Sequence, residues 1–134
     1  QALPGYRRVR FLGWMQPEDV YDHLAKADIG LVCLHPEPRF TVAWPVKLFE
    51  YMAMGLPVLA SNFPLWKEMI EGSECGITVD PLDPKAIART IEDLLTHPEE
   101  ARRIGENGRR AVKERYNWER EGEKLLKLYG ELLA

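Results

Sequence analysis

The sequence lacks several features that would assign it to a class at once. It has two cysteines, Cys33 and Cys75, and neither lies in a CxxC pair or at Cys/His ligand spacing. We therefore expect free thiols in a reducing cytoplasm rather than a disulfide or zinc framework. No apolar run approaches the roughly 20 residues that cross a bilayer, and the first residues do not resemble a signal peptide. These absences argue against a secreted, zinc-binding or membrane-spanning protein.

Positive charge, repeats and metal ligands are scarce as well. Lys and Arg number 18 against 21 Asp and Glu, a net charge of −3, and no basic stripe alternates with aromatics, so no nucleic-acid partner is expected. There is no internal repeat, no Asp-x-Asp pair and no ligand cluster near His23 or His35, so neither a metal site nor a cofactor is predicted. With 46% apolar and 29% charged residues among 134, the chain is typical of one soluble globular domain spanning residues 1–134.

Short apolar runs alternate with helical patterns. Strands are predicted at 9–14, 28–34, 56–61 and 75–80, the second of them buried on both faces. Helices are predicted at 16–27, 45–54, 64–71, 83–95, 97–116 and 117–134, with Asp83 and Asn117 as N-caps. The alternation predicts an α/β fold: an open, Rossmann-like parallel sheet of about four strands with flanking helices and a helical C-terminal tail.

The predicted helix at 45–54 carries two charges among apolar residues. Ligands of such sheets bind beyond the carboxyl ends of the strands, and Lys47 and Glu50 lie near that end, three residues apart. A helix N-terminus next to Lys47 suits a phosphate, and a carboxylate one turn later suits the vicinal hydroxyls of a ribose. A solvated Lys47–Glu50 pair explains the same spacing equally well, so spacing alone does not decide between the two.

Three apolar residues of this helix, Val46, Phe49 and Ala53, are spaced so that they share one side. We expect that side to face the sheet. In the preceding loop, Phe40 and Trp44 either anchor the loop to the core or stack on a ligand.

The wider sequence resembles a known family. PVKLFEYMAMGLPV, residues 45–58, resembles the donor-site motif of the group 1, or family 4, glycosyltransferases. VRFLGW, LAKADIGLVCLHP, GITVDPLDPKAIARTIEDLL and YNWER follow in the family's order. The resemblance implies that residues 1–134 form the nucleotide-sugar-binding C-terminal half of a two-domain GT-B fold, as a fragment of a larger enzyme.

The resemblance also implies roles for particular residues. Glu50 would hold the ribose, the turn Pro45, Val46 and Lys47 would lie against the diphosphate and donor sugar, and Trp14 and Met15 would lie beside the base. The catalytic groups are expected mainly in the other domain, so the fragment alone should be inactive.

One position departs from the family pattern. The first Glu of the family motif, which usually contacts the donor sugar, is replaced by Val42. Glu37 or Arg39 in the same loop could take over that contact, and the identity of the sugar stays open.

The activity implied is transfer of a sugar from a UDP-, GDP- or ADP-linked donor to an acceptor hydroxyl, in polysaccharide or glycolipid synthesis. The acceptor would be a sugar or a lipid-linked glycan bound by the other domain. The protein would be cytoplasmic, either free or attached peripherally to the inner face of the membrane. Two alternatives remain: half of a sugar-nucleotide epimerase, and a non-catalytic α/β interaction domain. A receiver-like interaction domain fits poorly, because no acidic pair directly follows the first predicted strand.

Overall fold

The structure, a computed structural model, describes residues 3–133. After a 3₁₀ turn at Pro4–Arg8, helices and strands alternate from residue 17 to residue 96 as predicted for that part of the chain. They are α1 Pro17–Leu24, β1 Gly30–Val32, α2 Pro38–Thr41, α3 Val46–Ala53, β2 Val58–Ser61, α4 Pro64–Gly72, β3 Gly76–Val79, α5 Pro84–Thr96, α6 Pro98–Glu114 and α7 Trp118–Leu133. The short helix α2 lies in a segment that the sequence predicted as loop.

The sheet has three parallel strands in the order β1-β2-β3. Val58 at the start of β2 is in register with Gly30 on one side and Gly76 on the other. All four residues of β2 are buried, as a central strand with a neighbour on each side and helices over its faces requires. The predicted open parallel α/β sheet is confirmed, with three strands rather than four.

The first predicted strand, at 9–14, does not form. In this segment one backbone hydrogen bond is found, from Val9 N–H to the Tyr6 carbonyl, and it closes the 3₁₀ turn. The side chain of Phe11 is 84% exposed. A strand is stable only when its backbone groups pair with a neighbour. Residues 9–14 do not pair with β1, although one edge of β1 stays open in the described sheet. All six residues are exposed, so no buried face holds the segment against the sheet.

Strand β1 has one open edge in the described sheet, because it pairs with β2 alone. Its residues alternate in burial: Val32 is buried, whereas Leu31 is 47% exposed. The prediction that this strand is buried on both faces is therefore wrong at Leu31. Helix α1, which could have covered that face, has no buried residue.

The core lies between β2, the inner sides of α3 and α4, and one side of α6. Its buried members form one cluster: Val32, Leu48, Met52, Val58, Ala60, Phe63, Trp66, Met69, Ile70, Cys75 and Ala111. Helix α3 packs most extensively against α6. Two glycines of α6 make this close approach possible, since a Cβ on Gly105 would overlap the Gly55 carbonyl oxygen and one on Gly108 would lie 3.3 Å from Met52 Cα.

Both predicted N-caps are confirmed. Asp83 Oδ1 accepts hydrogen bonds from the N–H groups of Lys85, at 2.9 Å, and Ala86, at 3.0 Å, and Asn117 Oδ1 accepts one from Arg120 N–H at 2.9 Å. Helix α7, which Asn117 starts, has no buried residue. Between residues 3 and 133, no helix combines the length and apolar character needed to cross a bilayer.

Candidate functional site

The loop from β1 to α3 is fixed at both ends by side chains from later elements. At its start, the buried hydroxyl of Ser61 accepts a hydrogen bond from Leu34 N–H and donates one to the Leu34 carbonyl, both at 2.8 Å. At its end, Trp66 Nε1 donates to the Ala43 carbonyl at 2.7 Å. Because both partners are buried, this loop leaves the carboxyl end of the sheet along a defined path to α3.

Helix α3 begins without a side-chain cap. Pro45 is its N-cap residue and supplies no side-chain hydrogen bond. The Pro45 carbonyl accepts from Leu48 N–H, whereas the N–H groups of Val46 and Lys47 donate to no acceptor among the described residues. These free donors and the helix dipole make the start of α3 suited to an anion, with the Lys47 side chain in the same turn.

The side of α3 that faces the core differs from the predicted one. Leu48 and Met52 are fully buried, whereas Val46 is 71% exposed and Ala53 is exposed too. Nearly every position of this helix is apolar, so periodicity favoured no single face. The outcome leaves Val46 at the surface of the first turn, on the same side as Glu50.

Glu50 is half-buried and forms no ion pair with Lys47 in the described part of the chain; the simple solvated pair is therefore not observed. Burial, and secondarily the negative charge of Glu50, raise the pKa of the neighbouring Tyr51. The Tyr51 ring packs directly on Gly30 of β1, where a Cβ would clash with it. Glu50 is thus a half-buried carboxylate next in sequence to the residue that packs on β1.

The far end of α3 is closed by Gly55, which adopts a positive φ of 74°. Arg109 of α6 donates from its guanidinium to the Met54 carbonyl at 2.8 Å, where a cation also complements the helix dipole. This contact with α6 keeps the C-terminal end of α3 in place while its N-terminal end stays open.

The other sequence-predicted residues are not gathered at α3. Trp14 is 83% exposed and Met15 partly exposed, on a segment that forms no regular element. No hydrogen bond or aromatic pair among residues 3–133 joins Trp14 or Met15 to α3.

In the loop before α3, Arg39 pairs with Glu37 at 2.9 Å and covers the ring of Phe40, which packs against the core.

Sequence reasoning missed the residues that α6 and the turn after it bring against α3. Gly105 lies against Gly55, Gly108 against Met52, and Tyr116, just beyond α6, against Phe49. Since numbers rise along α6 as they fall along α3, the two helices are antiparallel. The turn between α6 and α7 therefore lies beside the first turn of α3, and only the two glycines hinted at this close packing.

Within the described chain, no group of three or more His, Cys, Asp or Glu side chains could hold a metal ion.

Known proteins resemble this chain along most of its length. The chain is 32% identical to spore coat protein SA of Bacillus subtilis over 124 residues, which is 90% of this chain and 31% of that protein. It is 27% identical to the MMP alpha-(1->4)-mannosyltransferase of Mycolicibacterium hassiacum over 121 residues, covering 90% of this chain and 28% of that one. The chain thus spans about 30% of the length of these relatives.

Among solved structures, sucrose-phosphate synthase from Thermosynechococcus elongatus superposes with a TM-score of 0.82 at 31% identity, covering 95% of this chain and 31% of that one. The α/β fold with its open parallel sheet is thus similar to a GT-B glycosyltransferase domain. The family model described as "Glycosyl transferases group 1" matches residues 1–111. The chain belongs to the group 1 glycosyl transferases.

Proposed function

We propose that this chain is the donor-binding part of a glycosyltransferase that moves a sugar from a nucleoside diphosphate to an acceptor hydroxyl. The observation that carries the proposal is the uncapped start of α3. Among residues 3–133, the N–H groups of Val46 and Lys47 have no acceptor, and the half-buried Glu50, one turn from Lys47, has no ion-pair partner. A phosphate would bind the N–H groups and Lys47, and a ribose would bind Glu50, so one nucleotide would span both.

The chemistry follows from that arrangement. As the bond between sugar and diphosphate breaks, negative charge develops on the departing phosphate. Donors that already point at this charge stabilise the transition state without reorganisation, usually the largest catalytic contribution. The N–H groups of Val46 and Lys47, with the Lys47 ammonium, would fill this role, whereas Glu50 would position the nucleotide through its ribose.

Several finer assignments belong to the same proposal. Pro45 and the exposed Val46 would border the diphosphate and donor sugar, and Trp14 and Met15 would approach the base from the segment before α1. The donor would be UDP-, GDP- or ADP-linked, and the product a polysaccharide or glycolipid made on the cytoplasmic side, at the membrane surface where the acceptor is lipid-linked. The acceptor would bind mainly a second domain, with residues 1–134 as one nucleotide-sugar-binding domain.

Two relatives support sugar transfer by their names, a mannosyltransferase and a glycogen synthase. The name of a third, spore coat protein SA, states no reaction. A sugar-nucleotide epimerase remains the chemical alternative, and product analysis separates the two. A transferase forms a glycosylated acceptor, whereas an epimerase returns an isomerised nucleotide sugar.

Calorimetric titration of the chain with UDP, GDP, ADP and their glucose and mannose conjugates tests the proposal. We expect one nucleotide to bind, and Glu50→Gln to weaken it about tenfold or more, since hydrogen bonds to a charged group contribute about 1.5–3 kcal/mol. Glu92→Gln, an exposed carboxylate on α5, is the matched control and should bind like wild type. The proposal fails if no nucleotide binds, or if Glu50→Gln and Glu92→Gln bind equally well.

A further inference from the structure

A second concave surface lies beside the candidate donor site. We call it the aromatic groove, and it is lined by Trp44, Phe49, Tyr116, Asn117, Trp118 and Glu121. It encloses about 440 Å³, within the range of roughly 300–1,000 Å³ typical of small-molecule sites. None of these residues belongs to the donor site proposed above.

The walls of the groove are aromatic faces. Phe49 is half-buried and contacts Trp44 and Tyr116, with ring centroids 5.9 and 5.6 Å apart. Both pairs are tilted by 55°, so the rings are not stacked face to face. Trp44 and Trp118 are 43% and 77% exposed, which leaves indole faces open to a ligand.

The rim of the groove carries polar groups without partners. Trp44 Nε1, Trp118 Nε1 and the Tyr116 hydroxyl form no hydrogen bond with another residue in the range 3–133. Glu121 uses Oε1 for Lys124, at 2.6 Å, and Oε2 stays available. The Asn117 amide is fully engaged in capping, donating to the Val112 and Lys113 carbonyls and accepting from Arg120 N–H.

This combination selects among ligand classes. A pyranose ring has C–H groups on its faces and hydroxyls around its edge, which match indole faces and polar rim groups. A hydrocarbon ligand would leave the polar groups unpaired at a cost. Neither Lys nor Arg lines the groove itself. Lys124 at its rim is paired with Glu121, and Arg115 lies over the Tyr116 ring and lines the neighbouring cavity, so a phosphate-bearing ligand inside the groove would meet Glu121 without an unpaired cation beside it. The chemistry therefore fits a neutral sugar.

The position of the groove suggests the role of that sugar. Trp44 directly precedes the N-cap of α3, and Tyr116 lies in the turn that α6 brings to the same end of the molecule. A second cavity of about 390 Å³ shares Trp44 and Tyr116, so the surface can take more than one ring. We propose that the aromatic groove binds a neutral pyranose ring of the acceptor saccharide; the acceptor role rests on the proposed function, whereas sugar binding by the groove does not.

Titration of the chain with maltotriose and with methyl α-D-mannopyranoside, followed by tryptophan fluorescence and calorimetry, tests this proposal. We expect saturable binding of at least one saccharide with a millimolar Kd. Trp118→Leu should weaken it about tenfold, since the side chain stays apolar but the ring face is lost, and Trp118→Phe should bind within about threefold of wild type. Tyr21→Ala on α1, a partly exposed aromatic outside the groove, is the control and should not change binding.

The proposal is overturned if neither saccharide binds wild type saturably, or if Trp118→Leu binds as well as Trp118→Phe. Thermal unfolding of each variant confirms that the fold is retained, which is expected because Trp118 is a surface residue. The nucleotide titration tests the donor site independently. Saccharide binding without nucleotide binding would support the aromatic groove and reject the donor site. Nucleotide binding without saccharide binding would support the donor site and reject the aromatic groove.

Discussion

Two glycine-to-alanine substitutions, Gly105→Ala in α6 and Gly130→Ala in α7, should change stability in opposite directions. Both glycines lie inside helices, so each substitution gains the same intrinsic helix propensity, about 1 kcal/mol. They differ in surroundings. A Cβ at Gly130 meets nothing within 4 Å, whereas one at Gly105 overlaps the Gly55 carbonyl oxygen.

The overlap at Gly105 cannot be relieved by a side-chain rotation, because the obstructing atom belongs to the backbone at the end of α3. Overpacking of this kind costs about 1–3 kcal/mol of stability, and the cost at Gly105 should lie at the upper end because backbone atoms cannot move aside as a side chain can. After subtraction of the propensity gain, Gly105→Ala should destabilise the chain by about 2 kcal/mol. Gly130→Ala should stabilise it by up to about 1 kcal/mol.

Thermal unfolding followed by circular dichroism measures both effects. At about 4 °C per kcal/mol for a chain of this size, Tm should fall by roughly 8 °C in Gly105→Ala and rise by up to about 4 °C in Gly130→Ala. Equal increases in both variants would refute the close packing of α6 on α3. Gly105→Ala should also weaken nucleotide binding, since it displaces the helix that carries Lys47 and Glu50.

Three further predictions concern single side chains. Asn117→Ala should lower stability by about 1 kcal/mol and reduce the far-ultraviolet helix signal, because α7 loses its cap; an unchanged melting curve would contradict that role. Ser61→Ala should lower the free energy of unfolding in urea by about 1–3 kcal/mol, since it removes both hydrogen bonds to Leu34. Thr96→Ala, which removes an exposed hydroxyl, is the control and should lower it by less than about 1 kcal/mol. Burial raises the pKa of the Cys75 thiol to about 11 from an ordinary 9.0. As pH rises, the thiol of the unfolded chain therefore loses its proton before that of the folded chain, and the free energy of unfolding should fall between pH 9 and 11. Cys75→Ala should reduce this fall.

Local signals predicted much of the fold. Asp83 followed by Pro84 set the start of α5, Asn117 set the start of α7, and the apolar runs before Asn62 and Asp80 became β2 and β3. Each of these features depends on residues within a few positions of one another. The capping hydrogen bonds then follow with no long-range information, whereas the burial of β2 depends on β1, β3 and the helices that cover the sheet.

The errors involve partners that are distant in sequence. Residues 9–14 have strand composition, but they bury no face and pair with no strand in the described sheet. Helix α3 is apolar on so many sides that only the packing of α6 decides that Leu48 and Met52 face inward. The placement of Tyr116 beside Phe49 likewise depends on how α6 crosses α3. For the candidate site, sequence identified Lys47 and Glu50, whereas the structure added the fixing contacts of Ser61 and Trp66.

The open edge of β1 has a practical consequence for handling this protein. Backbone N–H and C=O groups at an unpaired edge act as a template for another strand, and natural sheets protect such edges with charge, proline or a covering element. β1 has none of these within its three residues, Gly30, Leu31 and Val32. Concentrated solutions of the chain should therefore self-associate through this edge, and a Leu31→Lys substitution should keep it monomeric in light scattering.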